Sequence, residues 1–185
     1  WSSLLDAQHT VGGTSAGAMV WGEWAFDAEW GSVSSSESLA DPLSRVVSIS
    51  KPEAPHPFLE DIIVDTHFSE RDREGRLLAF LAQIKAAELG GEALGLGLDT
   101  STSIWIENGR FTVVASNGGS AWFYIASEIP SLSLGQPLTF GGIRRVQWPS
   151  GTVGDWPPVL SDDGIPSWDY DNLTVEAGVV TAGPQ

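Results

Sequence analysis

The chain has 185 residues, of which 42% are apolar and 10% aromatic, enough to build a core about one domain in size. It carries 24 Asp and Glu against 9 Lys and Arg, a formal charge of -15, so phosphate backbones and anionic membranes would repel most of its surface and neither is expected as a partner. No apolar run approaches the roughly 20 residues that span a bilayer, and the absence of cysteine removes disulfides, thiolate nucleophiles and Cys-ligated zinc together.

An extended run over residues 8–13 ends in Gly12-Gly13, and Ala16, Val20, Trp24 and Ala28 then recur at helical spacing over residues 16–29. This reads as strand, sharp turn and helix. Residues 31–38 (GSVSSSES) read as a polar loop, Arg45 to Ser50 as a strand, and residues 51–58 (KPEAPHPF) as too proline-rich for either regular structure. Residues 59–64 (LEDIIV) read as a buried strand. Ser69 and Asp72 are a candidate capping pair for the strongest helix, placed at 71–89, where Leu77, Leu78, Leu81, Ile84 and Leu89 share a face and Gly90-Gly91 supplies the stop. The composition then shifts to short strands at 94–98, 102–107, 110–116 and 120–126, with Glu107-Asn108-Gly109-Arg110 as a hairpin turn. After Glu128 a Trp-, Pro- and Gly-rich tail holds strands near 138–148 and 173–180. Trp148, Trp156 and Trp168 there either pack over the sheet or offer stacking surfaces.

Gly13-Thr14-Ser15-Ala16-Gly17 is a G-x-S-x-G sequence at the strand-to-helix junction, where a strained turn lifts a serine hydroxyl to a helix N-terminus. In so Gly- and Ser-rich a chain the bare pattern arises by chance in roughly one sequence in four, and the plain alternative is a Ser15 that merely caps the helix. A serine nucleophile needs a base, and the chain holds His9, His56 and His67. His9 lies too near the elbow to face Ser15 easily, and His56 sits between two prolines. His67 follows the buried strand ending at Val64, whose carboxyl end a parallel sheet would present beside Ser15, so His67 is favoured. Around it stand Asp65, Arg71, Arg73 and Arg76. These arginines are either solvated partners of Glu70, Asp72 and Glu74 or a carboxylate-binding fork at the mouth of a site.

GGTSAGAMV followed by VDTHFSERDREGRL resembles the cyanophycinase and dipeptidase E family of serine peptidases, which carry GGTSAGA and a D-Q-H-F-x-x-R-x-R-x-x-R-L element. GLGLDTSTSIWIENG is similar to the family's G-I-D-E-x-T-A strand and hairpin, and NGGSAWFYI to its next strand, so the likeness covers residues 8–126 in one order. Thr66 stands where the cyanophycinase pattern has Gln, and Thr100 where the family strand usually has Glu.

The resemblance implies an α/β fold, a flavodoxin-like or Rossmann-like three-layer sheet with a nucleophile elbow. Its N-terminal β/α units, with a G-G-x-Q loop of the oxyanion hole, would lie outside this chain, and extra β strands would follow at the C-terminal end. Residues 1–127 are then the C-terminal part of the peptidase domain and 128–185 a β extension packed on it. Ser15 is implied as nucleophile, His67 as base, the Ala16 N–H as an oxyanion donor, and Asp65, Thr66, Arg71, Arg73 and Arg76 as lining the substrate cleft. For the third triad member, a carboxylate after the elbow helix, Glu29 is closest to the expected spacing and Glu23, Asp27 and Glu37 are rivals. The implied activity is hydrolysis of a peptide or isopeptide bond beside aspartate through an acyl-enzyme, with no cofactor or metal. An α/β-hydrolase esterase and an inactive or self-processing binding protein are the alternatives. The expected partners are a peptide with acidic groups, an N-terminal fragment of the same precursor cleaved before Trp1, and a second copy in a homodimer. Lysine restricted to Lys51 and Lys85, with no cysteine, suits an extracytoplasmic protein.

Overall fold

The structure, a computed structural model, describes residues 10–53, 55–87, 91–158 and 170–183. A short helix α1 (Ala16–Met19) is followed by β1 (Ala25–Phe26), α2 (Ser35–Ala40) and β2 (Ile49–Ser50). Next come β3 (Ile62–Thr66), α3 (Glu74–Ala87) and β4 (Ala93–Leu98). The remaining strands are β5 (Thr102–Glu107), β6 (Arg110–Ala115), β7 (Ser120–Ala126), β8 (Phe140–Pro149), β9 (Val153–Asp155), β10 (Tyr170–Glu176) and β11 (Val179–Gly183).

The architecture is mixed α/β, rich in strand and poor in helix among the described residues. Six strands form one sheet in the order β11-β10-β8-β7-β4-β3, and β5-β6-β9 form a second. In the large sheet β3 and β4 are parallel, joined through α3, with Val64 opposite Leu96; the other neighbours are antiparallel. Successive residues of β3 point to opposite faces, so all five are buried but in different company. Ile63 joins Leu77, Leu78, Leu81 and Ile84 of α3 on one side, while Ile62 and Val64 join Phe111, Trp148 and Trp156 on the other. The large sheet thus lies between α3 and the smaller sheet. Beyond β7 the chain extends this same sheet with β8, β10 and β11.

Several expected elements take a different form. Residues 16–29 are not one helix: α1 stops at Met19, and the chain closes onto the edge of β3, where the Trp24 N–H donates to the Ile62 carbonyl at 3.4 Å. Gly22 allows that approach, since a Cβ there would stand 2.6 Å from the Ile62 oxygen. Residues 10–13 form no strand, and residues 8–9 lie outside the described residues. The segment read as a polar loop contains α2, because Ser34 and Glu37 form a reciprocal capping box and Val33 and Leu39 find a core to enter. Of Arg45 to Ser50 only Ile49–Ser50 is strand. The long helix begins at Glu74 rather than at 71, because Asp72 is left-handed at φ 47° and Ser69–Arg71 make a 3-10 turn; residues 88–90 lie outside the described residues. Residues 173–180 are not one strand but span the hairpin of β10 and β11, turning at Ala177-Gly178 with φ 48° and 79°. Trp148 and Trp156 are core residues, Trp148 stacking on Phe123 at 5.1 Å, while Trp168 lies outside the described residues.

One close approach links the core to the turn that follows β3. Gly97 of β4 faces the ring of Phe68, and a Cβ at this position would come within 2.6 Å of it. Phe68 is buried among Tyr124 and the α3 side chains, so the ring has little room to retreat. Gly97→Ala is therefore expected to lower the unfolding free energy by about 1–3 kcal/mol through overpacking, read from urea denaturation.

Candidate active site

The elbow is built from backbone constraints. Ser15 holds φ 53° and ψ -129°, a positive φ that costs a non-glycine residue energy and is retained where the surroundings fix it. The turn closes through the Gly17 N–H to the Thr14 carbonyl at 2.9 Å and the Ala18 N–H to the Ser15 carbonyl at 2.9 Å. Gly13 is required by contact: a Cβ there would lie 1.9 Å from the Gly17 oxygen. The outcome is an exposed Ser15 side chain at the start of α1, and α1 packs against β3.

β3 delivers the partner. His67 follows its last residue with φ 52°, which turns the ring out of the sheet and across to the elbow. Ser15 Oγ lies 3.0 Å from His67 Nε2, the one side-chain bond the Ser15 hydroxyl makes among the described residues. The turn that carries the imidazole is clamped to the end of β4. Asp99 Oδ1 accepts from the Ser69 N–H at 3.0 Å and the Ser69 hydroxyl at 2.6 Å, and Asp99 Oδ2 accepts from the Ser120 N–H at 2.9 Å. The Phe68 N–H donates to the Leu98 carbonyl at 3.1 Å. Ser69, read as a helix cap, is thus a tie between strands.

His67 Nδ1 meets Thr100 Oγ1 at 3.4 Å, and no carboxylate bonds this nitrogen among the described residues. The carboxylates expected near it are occupied elsewhere or stand apart. Glu29 is exposed, and its amide bonds Asp27. Glu23 is held below its ordinary pKa by the Lys51 ammonium and the Asp61 N–H. Burial raises the Asp27 carboxyl, but bonds from Ser48 and the Glu29 N–H outweigh it and leave the net shift downward. Glu37 is held low by the Ser34 hydroxyl and N–H of the capping box. The structure brings none of the four to His67.

The arginines divide by depth. Arg76 is 2% exposed and grips the fully buried Asp65 in a two-pronged pair, Nε to Oδ2 at 2.7 Å and a terminal nitrogen to Oδ1 at 2.6 Å. Its guanidinium also lies over the Phe26 ring at 5.0 Å. Arg73 is intermediate, bonding Asp65 Oδ1 at 3.2 Å and the Thr66 carbonyl at 2.5 Å. Burial draws Arg73 below its ordinary pKa, opposed by the Asp65 charge and reinforced by Arg76 and Arg71. Arg71 is exposed. The three border a cleft of about 340 Å³ with Ser32, Ser34 and Glu37. Thr66 is buried, with a hydroxyl that bonds nothing in the described structure. His56 caps the Pro57–Leu59 turn by accepting from the Phe58 N–H at 3.2 Å, and His9 lies outside the described residues.

Sequence reasoning missed Thr100 as the neighbour of His67. The sequence marked Thr100 by its place at the end of the strand bearing GLGLDTST and as a departure from the Glu of the resembled pattern, but not as a neighbour of His67. It also missed Glu70, whose Oε1 accepts from the Thr100 N–H at 2.8 Å. Among the described residues no group of three or more acidic or imidazole side chains is arranged to hold a metal ion, and no helix is long and apolar enough to cross a membrane.

No protein-family model matches the chain. Curated cyanophycinases of Trichormus variabilis and of a Nostoc species are each 28% identical to it over 146 residues, 76% of this chain. The chain spans 43% of the length of each of these relatives. On this similarity the chain is cyanophycinase-like.

Proposed function

We propose that the chain carries the nucleophile and base of a serine hydrolase that cleaves a peptide or isopeptide bond beside aspartate. The 3.0 Å contact between Ser15 Oγ on a strained elbow and His67 Nε2 carries this reading, and the likeness to cyanophycinases supports its substrate class. The Ser15 oxygen attacks the carbonyl carbon while its proton passes to Nε2. The N–H of Ala16, first residue of α1, donates to the oxyanion of the tetrahedral intermediate. Collapse of that intermediate breaks the C–N bond, and the imidazolium returns its proton to the leaving amine. Water, deprotonated by His67, then releases the acyl group.

In this reading Arg71 meets the acidic groups of the substrate, Arg73 assists from its half-buried position, and Asp65 with Arg76 hold the frame beneath them. Thr66 and Thr100 border the reacting groups. β3 and β4 are taken as the parallel part of a flavodoxin-like sheet and residues 128–185 as its β extension.

The test is intact-mass spectrometry after exposure to a fluorophosphonate, with Ser15→Ala as control, followed by a comparison of β-aspartyl-arginine polymer, aspartyl dipeptides and simple acyl esters. One adduct on the native protein, none on the variant, and release of aspartyl products are expected. No adduct would overturn the reading in favour of a binding protein, and turnover of esters alone in favour of an esterase.

A further inference from the structure

The ring of His67 has two nitrogens, and the reading above uses one. For Nε2 to accept the Ser15 proton it must be unprotonated, so the ring proton must sit on Nδ1 and needs an acceptor there. Thr100 Oγ1, at 3.4 Å, is that acceptor among the described residues. The distance exceeds the roughly 2.7–3.2 Å of an ordinary N–H···O bond, as contacts in unliganded sites often do. Thr100 is itself fixed from behind, since its N–H donates to Glu70 Oε1 at 2.8 Å and the neighbouring Asp99 is bonded to both Ser69 and Ser120. Glu70 lies on the same turn as His67, so the imidazole, its acceptor and the carboxylate that pins the acceptor form one closed loop of contacts.

We propose that Thr100 is the positioning residue of His67, its hydroxyl oxygen accepting a hydrogen bond from Nδ1–H and so selecting the tautomer that leaves Nε2 free for Ser15, with Glu70 holding Thr100 in place. The inference rests on the Ser15–His67 reading for its catalytic meaning, but its geometric content is independent of any substrate. A hydroxyl differs from a carboxylate in one consequential way: it fixes the tautomer and the ring orientation without a full negative charge to stabilise the imidazolium. The base is therefore positioned but weakly supported, and removing the hydroxyl should cost about one hydrogen bond of selectivity rather than a full ion pair.

The experiment uses ¹⁵N-histidine protein and follows the His67 ring nitrogens by long-range proton correlation, its signals assigned with His67→Gln. The native protein and Thr100→Ser should show the Nδ1–H tautomer, whereas Thr100→Val and Thr100→Ala should show a mixture. The fluorophosphonate labelling rate of Ser15 should fall about tenfold in the Val and Ala variants and recover in the Ser variant. Thermal midpoints close to native in all three would tie these changes to the hydroxyl. An unchanged tautomer and labelling rate in both Thr100→Val and Thr100→Ala would overturn the proposal, as would failure of Thr100→Ser to restore them. A protein that takes no adduct yet shows the Thr100-dependent tautomer would overturn the hydrolase reading and support the placement of the ring by Thr100.

Discussion

His67→Ala is expected to slow phosphonylation of Ser15 by a fluorophosphonate by about a thousandfold while leaving the thermal midpoint almost unchanged. The two halves of that expectation separate chemistry from architecture. His67 is half-buried at the end of β3, and its contact with Ser15 crosses between two elements that the backbone already holds together through α1 against β3. Its removal takes away a proton acceptor 3.0 Å from the hydroxyl and little packing. At neutral pH an unassisted serine hydroxyl is a poor nucleophile, so the loss should appear in the rate of covalent attachment, followed by intact mass over time. Added imidazole, small enough to enter the space left by the side chain, should restore part of the rate. If Ser15 merely caps the elbow helix, native and variant proteins would react equally slowly, and a difference of less than about tenfold would abandon the base assignment.

What the sequence could disclose about this site follows from where its constraints are local. Gly13 lies two residues before Ser15 because a turn this tight admits no Cβ there, and such a requirement is visible along the chain. The buried run at β3 was legible as a strand from its apolar residues, although the strand spans Ile62–Thr66 rather than 59–64 and its register, with Asp65 facing α3 rather than solvent, depends on the helix that covers it. The helix of residues 35–40 was legible in principle, since Ser34 and Glu37 are a capping box spelled out in four residues, yet a serine-rich segment reads as loop when its buried face is unknown. Thr100 was beyond this kind of reading. It reaches His67 only because β3 and β4 are parallel neighbours with Thr66 opposite Leu98, which brings the two strand ends together across 33 residues. The same long-range pairing defeated the reading of residues 16–29, whose periodic apolar side chains meet the edge of β3 instead of completing a helix. Local strain and turns leave a signature in the chain; partners recruited through sheet topology do not.

The arginine run carries the second large prediction, and here burial decides between the two sequence readings. Asp65→Ala is expected to lower the unfolding free energy by about 3–5 kcal/mol, because it leaves the guanidinium of Arg76 buried without its counter-charge. Arg76 is 2% exposed and bonds both oxygens of Asp65; Arg73 loses a bond to Asp65 at the same time but keeps the Thr66 carbonyl. An exposed pair would matter far less, within about 1 kcal/mol. The cost lies in the stranded charge rather than in the bond itself, so the double change Asp65→Leu with Arg76→Met should recover much of the stability lost by the single one, since the site already contains the aromatic rings of Phe26 and Phe80. Urea denaturation of the two variants against the native protein measures this coupling directly. A direct role of Asp65 on substrate predicts the opposite pattern, with native stability and a raised KM in the single variant. Arg71, exposed on the same turn and free of that buried pair, should behave in that second way, losing affinity for acidic substrates on substitution by Met while unfolding at the native urea concentration.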